Sequence, residues 1–287
     1  MSGRMSGGMS GGMSGGMSGR MGNFTLHLRQ APGLRLDLRG ITPTALAPLA
    51  VADVQRLLVG YGKQLQPLAE FFDVHAHSSD ELVLTGELSR CDRVGWMMDG
   101  GVLRVESSVG HYAGGAMRAG TLQVGGSAGD LVACEMAGGL LSIAGSAGDF
   151  CASTLPGSMD GMRGGTLVIQ GDVGARFGDR MRRGMAVVRG HAGDFLASRM
   201  VAGSMAIGGT AGAHVGYGMR RGTLVFAGPA PNVPATFVPA GGSVPVFWQL
   251  LARSLARHGG VFADLPTRVM QRHLGDAAVL GKGELLF

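Results

Sequence analysis

One feature constrains this chain more than any other: a 19-residue pattern recurring between residues 101 and 228. It reads Gly, small, Leu, any, Val or Ile, any, Gly, with another Gly three positions on and a Met three residues before the next start. The starts are Gly101, Gly120, Gly139, Gly165, Gly184, Gly203 and Gly222. All are spaced by 19 residues except Gly139 to Gly165, where the spacing is 26 because residues 156–162 are inserted. Self-similarity at such a period is the signature of a stacked architecture, in which no unit buries its apolar face alone.

Within each unit, apolar residues two apart, such as Leu122 and Val124 or Leu141 and Ile143, share one face of a short strand. Laying each unit beside the last, parallel and about 4.8 Å away, turns them into columns. Leu103, Leu122, Leu141 and Leu167 make one; Val105, Val124, Ile143, Ile169, Val188 and Ile207 a second; Met117, Met136, Met162, Met181, Met200 and Met219 a third, suited to an irregular corner. Each buried side chain contributes about 1.5–3 kcal/mol. Glycine columns at 126, 145, 171, 190 and 209 and at 110, 129, 148, 174, 193 and 212 are expected to supply positive φ and close backbone approach at the corners. The predicted fold is mainly β, a right-handed parallel β-helix of about seven turns with a small N-terminal α+β cap and a C-terminal arm.

The flanks read differently. Residues 1–22 repeat Met-Ser-Gly-Gly and predict a flexible tail. Residues 23–79 predict the cap, with Phe24, Leu26 and Leu28 and then Leu34, Leu36 and Leu38 as two paired strands and a helix from Thr42-Pro43 to Leu58. Residues 80–228 are the repeats. Residues 229–287 form an extended arm containing one helix marked by Phe247, Leu250, Leu251 and Leu255, expected to dock on a partner or on the last open turn. With 45% hydrophobic and 16% charged residues the chain affords a core despite its 53 glycines. Three scattered cysteines, no signal segment and no membrane-length apolar run predict a cytoplasmic protein, and neither nucleic acid nor membrane is an expected partner. A net charge of +5, carried almost wholly by arginine, points to an acidic subunit or ligand.

Candidate chemistry is sparse. His75-Ala76-His77 resembles half of a metal site, but no later His and Asp cluster completes it; a strand end with two satisfied histidines is preferred, and no metal site is predicted. Gly125-Gly126-Ser127-Ala128-Gly129 mimics a phosphate loop, yet it is one of many identical turns with no following helix. His111, Asp130, Asp149 and Asp194 share a corner slot, where acids accept backbone N–H groups more often than they catalyse, so no catalytic residue is assigned. A last column follows the methionines: Arg118, Arg163, Arg182 and Arg220, doubled by Arg183 and Arg221. Guanidiniums about 5 Å apart repel by about 1 kcal/mol in water. They should therefore face carboxylates of the corner column, a partner or an acidic ligand.

Two turns, Gly171-Asp172-Val173-Gly174-Ala175-Arg176-Phe177-Gly178 and Gly209-Thr210-Ala211-Gly212-Ala213-His214-Val215-Gly216, spell G-x-x-G-x-x-x-G. The repeat is similar to the β-helical C-terminal domain of glutamate synthase. Over residues 23–287 the chain resembles the C subunit of formylmethanofuran dehydrogenase, with residues 65–74 (LQPLAEFFDV), 159–165 and 273–285 (HLGDAAVLGKGEL) carrying further likeness. The resemblance implies a non-catalytic scaffold subunit of a formyltransferase/hydrolase complex in tetrahydromethanopterin-linked one-carbon metabolism. Its partners would be an amidohydrolase-like and a formyltransferase-like subunit. These would hold the methanofuran-type carrier, tetrahydromethanopterin and the catalytic metal; the present subunit would hold no cofactor and no active site. A polyglutamate-tailed carrier is then one acidic ligand for Arg118, Arg163, Arg182, Arg183, Arg220 and Arg221. The C subunit of a redox dehydrogenase, a stand-alone β-helical lyase or hydrolase, and an isolated glutamate-synthase-like domain are the alternatives.

Overall fold

The computed structural model describes residues 24–241 and 246–287. The tail expected over residues 1–22 lies outside them. The N-terminal part contributes β1 (Phe24–Leu28), β2 (Leu36–Asp37), α1 (Pro43–Leu46), α2 (Val51–Arg56), β3 (Leu58–Tyr61), β4 (Gln64–Pro67) and β5 (Phe72–Ala76). Then come β6 (Glu81–Thr85), β7 (Cys91–Asp92), β8 (Asp99–Val105), β9 (Ala119–Val124), β10 (Leu140–Ile143), β11 (Arg163–Ile169), β12 (Arg183–Val188), β13 (Ser204–Ile207) and β14 (Thr223–Phe226). The C-terminal part adds β15 (Val238–Pro239), α3 (Val246–Ala256), β16 (Arg272–Gly275) and β17 (Gly283–Leu286). The molecule is mainly β.

Strands β8 to β14 lie side by side in chain order, all parallel, within a sheet of 13 strands. Equivalent repeat positions face one another: Leu122 pairs Leu141, Leu141 pairs Leu167, and Ile143 pairs Ile169. A second parallel ladder joins Val109, Ala128, Ala147, Val173, Ala192 and Ala211. The expected Leu, Val/Ile and Met columns all point into one core; each of their residues is 2% exposed or less. A second core lies on the opposite face of β12–β14, where Val187, Ala206 and Val225 meet Trp248, Leu251 and Leu255 of α3. That outer layer explains why these strands are apolar on both sides.

The glycines divide their roles differently from the expectation. Positive φ falls on the starting glycines, such as Gly120 (88°) and Gly203 (111°), not on the corner columns. The corner glycines serve close approach: a Cβ on Gly174 would sit 2.1 Å from Asp149 Oδ1 and 2.8 Å from its backbone N. Each corner also uses left-handed residues that are not glycine, such as Phe195, Ala197 and Arg199 (φ 54–59°).

Both ends of the stack are finished alike. At the start β6 accepts β1 in parallel, and β1 accepts β5 antiparallel. At the finish β14 accepts β17 in parallel, and β17 accepts β16 antiparallel. Open sheet edges are thus covered by the chain itself, and the C-terminal arm docks on the last turn. The run Leu34–Leu36–Leu38 does not pair with β1, however; β2 joins β3 and β7 in a separate four-stranded sheet. The helix expected from Thr42 to Leu58 is two short ones. Thr42 Oγ1 caps the first by accepting Ala45 N–H at 3.4 Å, and Pro48, lacking an N–H, sits in the gap between them. Among the described residues no helix is long and apolar enough to cross a membrane.

Candidate functional site

Each buried Met at a corner forces the next residue outward, which is how the sequence puts its arginines on the surface. Arg182 and Arg183 follow Met181, Val201 and Ala202 follow Met200, and Arg220 and Arg221 follow Met219. A turn with two short side chains therefore lies between two turns with paired arginines. The result is a groove of about 510 Å³ with Val201 and Ala202 as floor and Arg163, Arg182, Arg183, Arg220 and Arg221 as walls. The structure brings together five of the six arginines singled out in the sequence. Arg118 stands apart on the surface, separated from Arg163 by the turn that carries Ala137.

The interruption relieves only part of the repulsion, because Arg163 and Arg183 still face each other on the adjacent strands β11 and β12. Arg183 and Arg221 are two strand spacings apart, about 9–10 Å, where two charges in water interact by only about 0.4 kcal/mol. Acid neutralisation is partial. Asp160 is ion-paired to Arg182, and Glu135 lies 3.9 Å from Arg163. No carboxylate among the described residues comes within 4.0 Å of Arg183, Arg220 or Arg221.

A second cavity, of about 610 Å³, adjoins the first and shares Arg182, Val201 and Arg220 with it. It adds Arg180, Arg199 and Tyr217, none of which stood out in the sequence, and Met159, Asp276 and Val279 from the stretches 159–165 and 273–285 that carried the family likeness but were not assigned to a site. The available signal was that Arg180 and Arg199 each precede a column methionine. Arg199 is held by buried Asp179 through bonds of 2.9–3.1 Å. Burial alone would raise the Asp276 carboxyl, but Gly218 N–H, the Thr236 side chain and Ala278 N–H outweigh it and hold the group below the usual carboxylate range. That carboxylate fastens the residues after β16 to the last corner, where Gly218 N–H donates to it at 2.9 Å.

The acidic corner column is fully employed in the backbone. His111 Nδ1 accepts Asp130 N–H (2.9 Å), Asp130 accepts Asp149 N–H (2.9 Å), Asp149 accepts Ala175 N–H (2.7 Å) and Asp194 accepts Ala213 N–H (2.8 Å). A parallel ladder, missed in the sequence, runs through Ser108, Ser127, Ser146, Asp172 and His191, each accepting the N–H of the residue one turn on. Its residue types vary, but every one is an acceptor. These side chains cap the next turn.

His75 is exposed at the end of β5, while His77 Nδ1 bonds Ser79 and its Nε2 is buried without a partner, so only one of the two ring nitrogens is satisfied. Among the described residues no group of three or more His, Cys, Asp or Glu is placed to hold a metal ion. Cys91, Cys134 and Cys151 are buried; burial pushes the first two thiols up to about 12 and the third higher still. None is a nucleophile in this state.

No protein-family model matches the chain. A stretch of 86 residues is 44% identical to the C subunit of the formyltransferase/hydrolase complex Fhc of Methylorubrum extorquens, covering 30% of this chain and 32% of the relative. Another of 99 residues is 28% identical to the C subunit of tungsten-containing formylmethanofuran dehydrogenase 2 of Methanothermobacter marburgensis, covering 33% and 37%. The matched stretches therefore span about a third of the curated relatives' own length. Similarity in three dimensions reaches further. A chain in the crystal structure of the formyltransferase/hydrolase complex FhcABCD from M. extorquens, solved with methylofuran, superposes with a TM-score of 0.85 at 42% identity. The match covers 91% of this chain and 98% of that one.

Proposed function

The chain belongs to the family of C subunits found in formyltransferase/hydrolase complexes and formylmethanofuran dehydrogenases, and from that premise we propose that it is a non-catalytic scaffold subunit of a formyltransferase/hydrolase complex. The observation that carries this reading is the 42% identity over 98% of a chain in the FhcABCD complex. The weaker, 28% likeness to a dehydrogenase subunit makes the redox complex the second reading. The fold suits a scaffold. Its parallel ladders read as a right-handed β-helix of about seven turns over residues 80–228, between a cap at 23–79 and an arm at 229–287. Its acids and hydroxyls are engaged in capping successive turns.

On this reading the formyl group passes from formyl-tetrahydromethanopterin to a methanofuran-type carrier and leaves as formate on partner subunits, amidohydrolase-like and formyltransferase-like, in the cytoplasm. Those subunits hold the pterin, the carrier's reactive end and any metal. The arginine groove is this subunit's own contribution, a site for an acidic carrier tail or an acidic partner segment. Arg118, outside the groove, takes a partner contact at most. Purification of the tagged protein from its native host tests the assignment. The expected result is co-elution with two or more larger polypeptides and formate release by the assembly. A lone monomer with its own hydrolase activity would overturn it.

A further inference from the structure

The seven-residue insertion does not disturb the stack. Strands β10 and β11 keep their register across it, with Ile143 opposite Ile169 just as Val124 is opposite Ile143. The extra residues are therefore extruded, and they return to the arginine groove. Met159, 67% exposed, lines the second cavity with its sulfur 2.6 Å from Arg180 Nη1. The next residue, Asp160, is ion-paired to Arg182, one of the two arginines that the cavities share.

The chain's other groove-side acids are tied down. Asp179 is 4% exposed and bound by Arg199, and Glu135 accepts Leu155 N–H at the base of the insertion. The Asp160 carboxylate has Arg182 alone among the described residues, and both side chains are well exposed, at 35% and 46%. Such a pair is weak and readily exchanged.

Resting on the reading of the groove as an anion site, we infer that Asp160 is a displaceable internal carboxylate that holds Arg182 until an extended polycarboxylate enters. At Arg182 a ligand with one acid merely exchanges with Asp160 and gains no ion pair there. A chain with several acids replaces Asp160 at Arg182 and also reaches Arg183, Arg220 and Arg221, which have no carboxylate of their own among the described residues. The insertion thus sets a threshold on ligand charge at Arg182, and the class that gains from engaging the whole groove is a linear polycarboxylate with acids reaching arginine pairs about 9–10 Å apart.

Anisotropy of a fluorescent oligoglutamate peptide with the full-length protein at low salt tests this. Asp160→Asn should bind about two- to fivefold tighter than the parent, and should newly compete for a single-carboxylate anion such as acetate. Arg220→Ala/Arg221→Ala should bind roughly tenfold weaker or worse. Unchanged or weaker binding by Asp160→Asn, with the arginine variant impaired, overturns the gate and leaves the groove standing. Equal binding by all three proteins overturns the groove reading as well.

Discussion

Two faces of the same stack of repeats use polar residues in opposite ways. On the corner face each Asp, Ser or His at a ladder position accepts the N–H of the following turn, so the fold consumes it. Other charges are likewise taken up inside: Arg35 by Asp92 at 2.6 and 2.7 Å, and Arg176 by the rings of Phe150 and Phe195 at 5.9 and 4.8 Å. On the groove face Arg183, Arg220 and Arg221 serve no internal partner among the described residues. The repeat explains where both sets stand, but only the first set is explained by what it touches. A charge that the fold has no use for is the better pointer to a ligand.

That contrast can be broken at three points. Gly174→Ala strikes the corner hardest, because the new Cβ would meet Asp149 Oδ1 at 2.1 Å and its backbone N at 2.8 Å. A loss of about 2–4 kcal/mol is expected, measured by urea unfolding. Asp149→Ala removes the acceptor for Ala175 N–H and should cost about 1 kcal/mol in the same assay. Asp149→Ser should recover most of it, since serine fills the neighbouring ladder; no recovery would mean that charge, rather than acceptance, is what the corner needs. The smallest effect belongs to Arg220→Ala/Arg221→Ala, whose unfolding free energy should stay within about 0.5 kcal/mol of the parent. A larger loss would show that these arginines are structural after all.

The core was legible because it is periodic. Leu122, Val124 and Met136 recur with their equivalents at one interval, and burial follows from the interval alone. What escaped was everything the interval does not encode. Partner choice at the N-terminus depends on which strand edge is free, so β1 paired with β6 and β5 while β2 went to another sheet. Left-handed φ at Phe195 or Arg199 is imposed by the corner against residue preference, so no glycine announces it. The Ser108–His191 ladder hid behind changing residue types. Of the groove, the five arginines were visible as a column. The cavity was not, since its floor is made by what Val201 and Ala202 lack.

Stacking in register also turns the repeats into a measure of length. Seven stacked repeats at a strand spacing of about 4.8 Å span about 29 Å between the Gly101 and Gly222 levels. That length is quantised in units of 19 residues. Removing one unit would shift whatever is attached beyond it by one pitch, while lengthening the loop at 156–162 would shift nothing. Distance along the stack and decoration of its side are therefore independently adjustable, so the spacing between two points on its surface is written in the number of repeats between them.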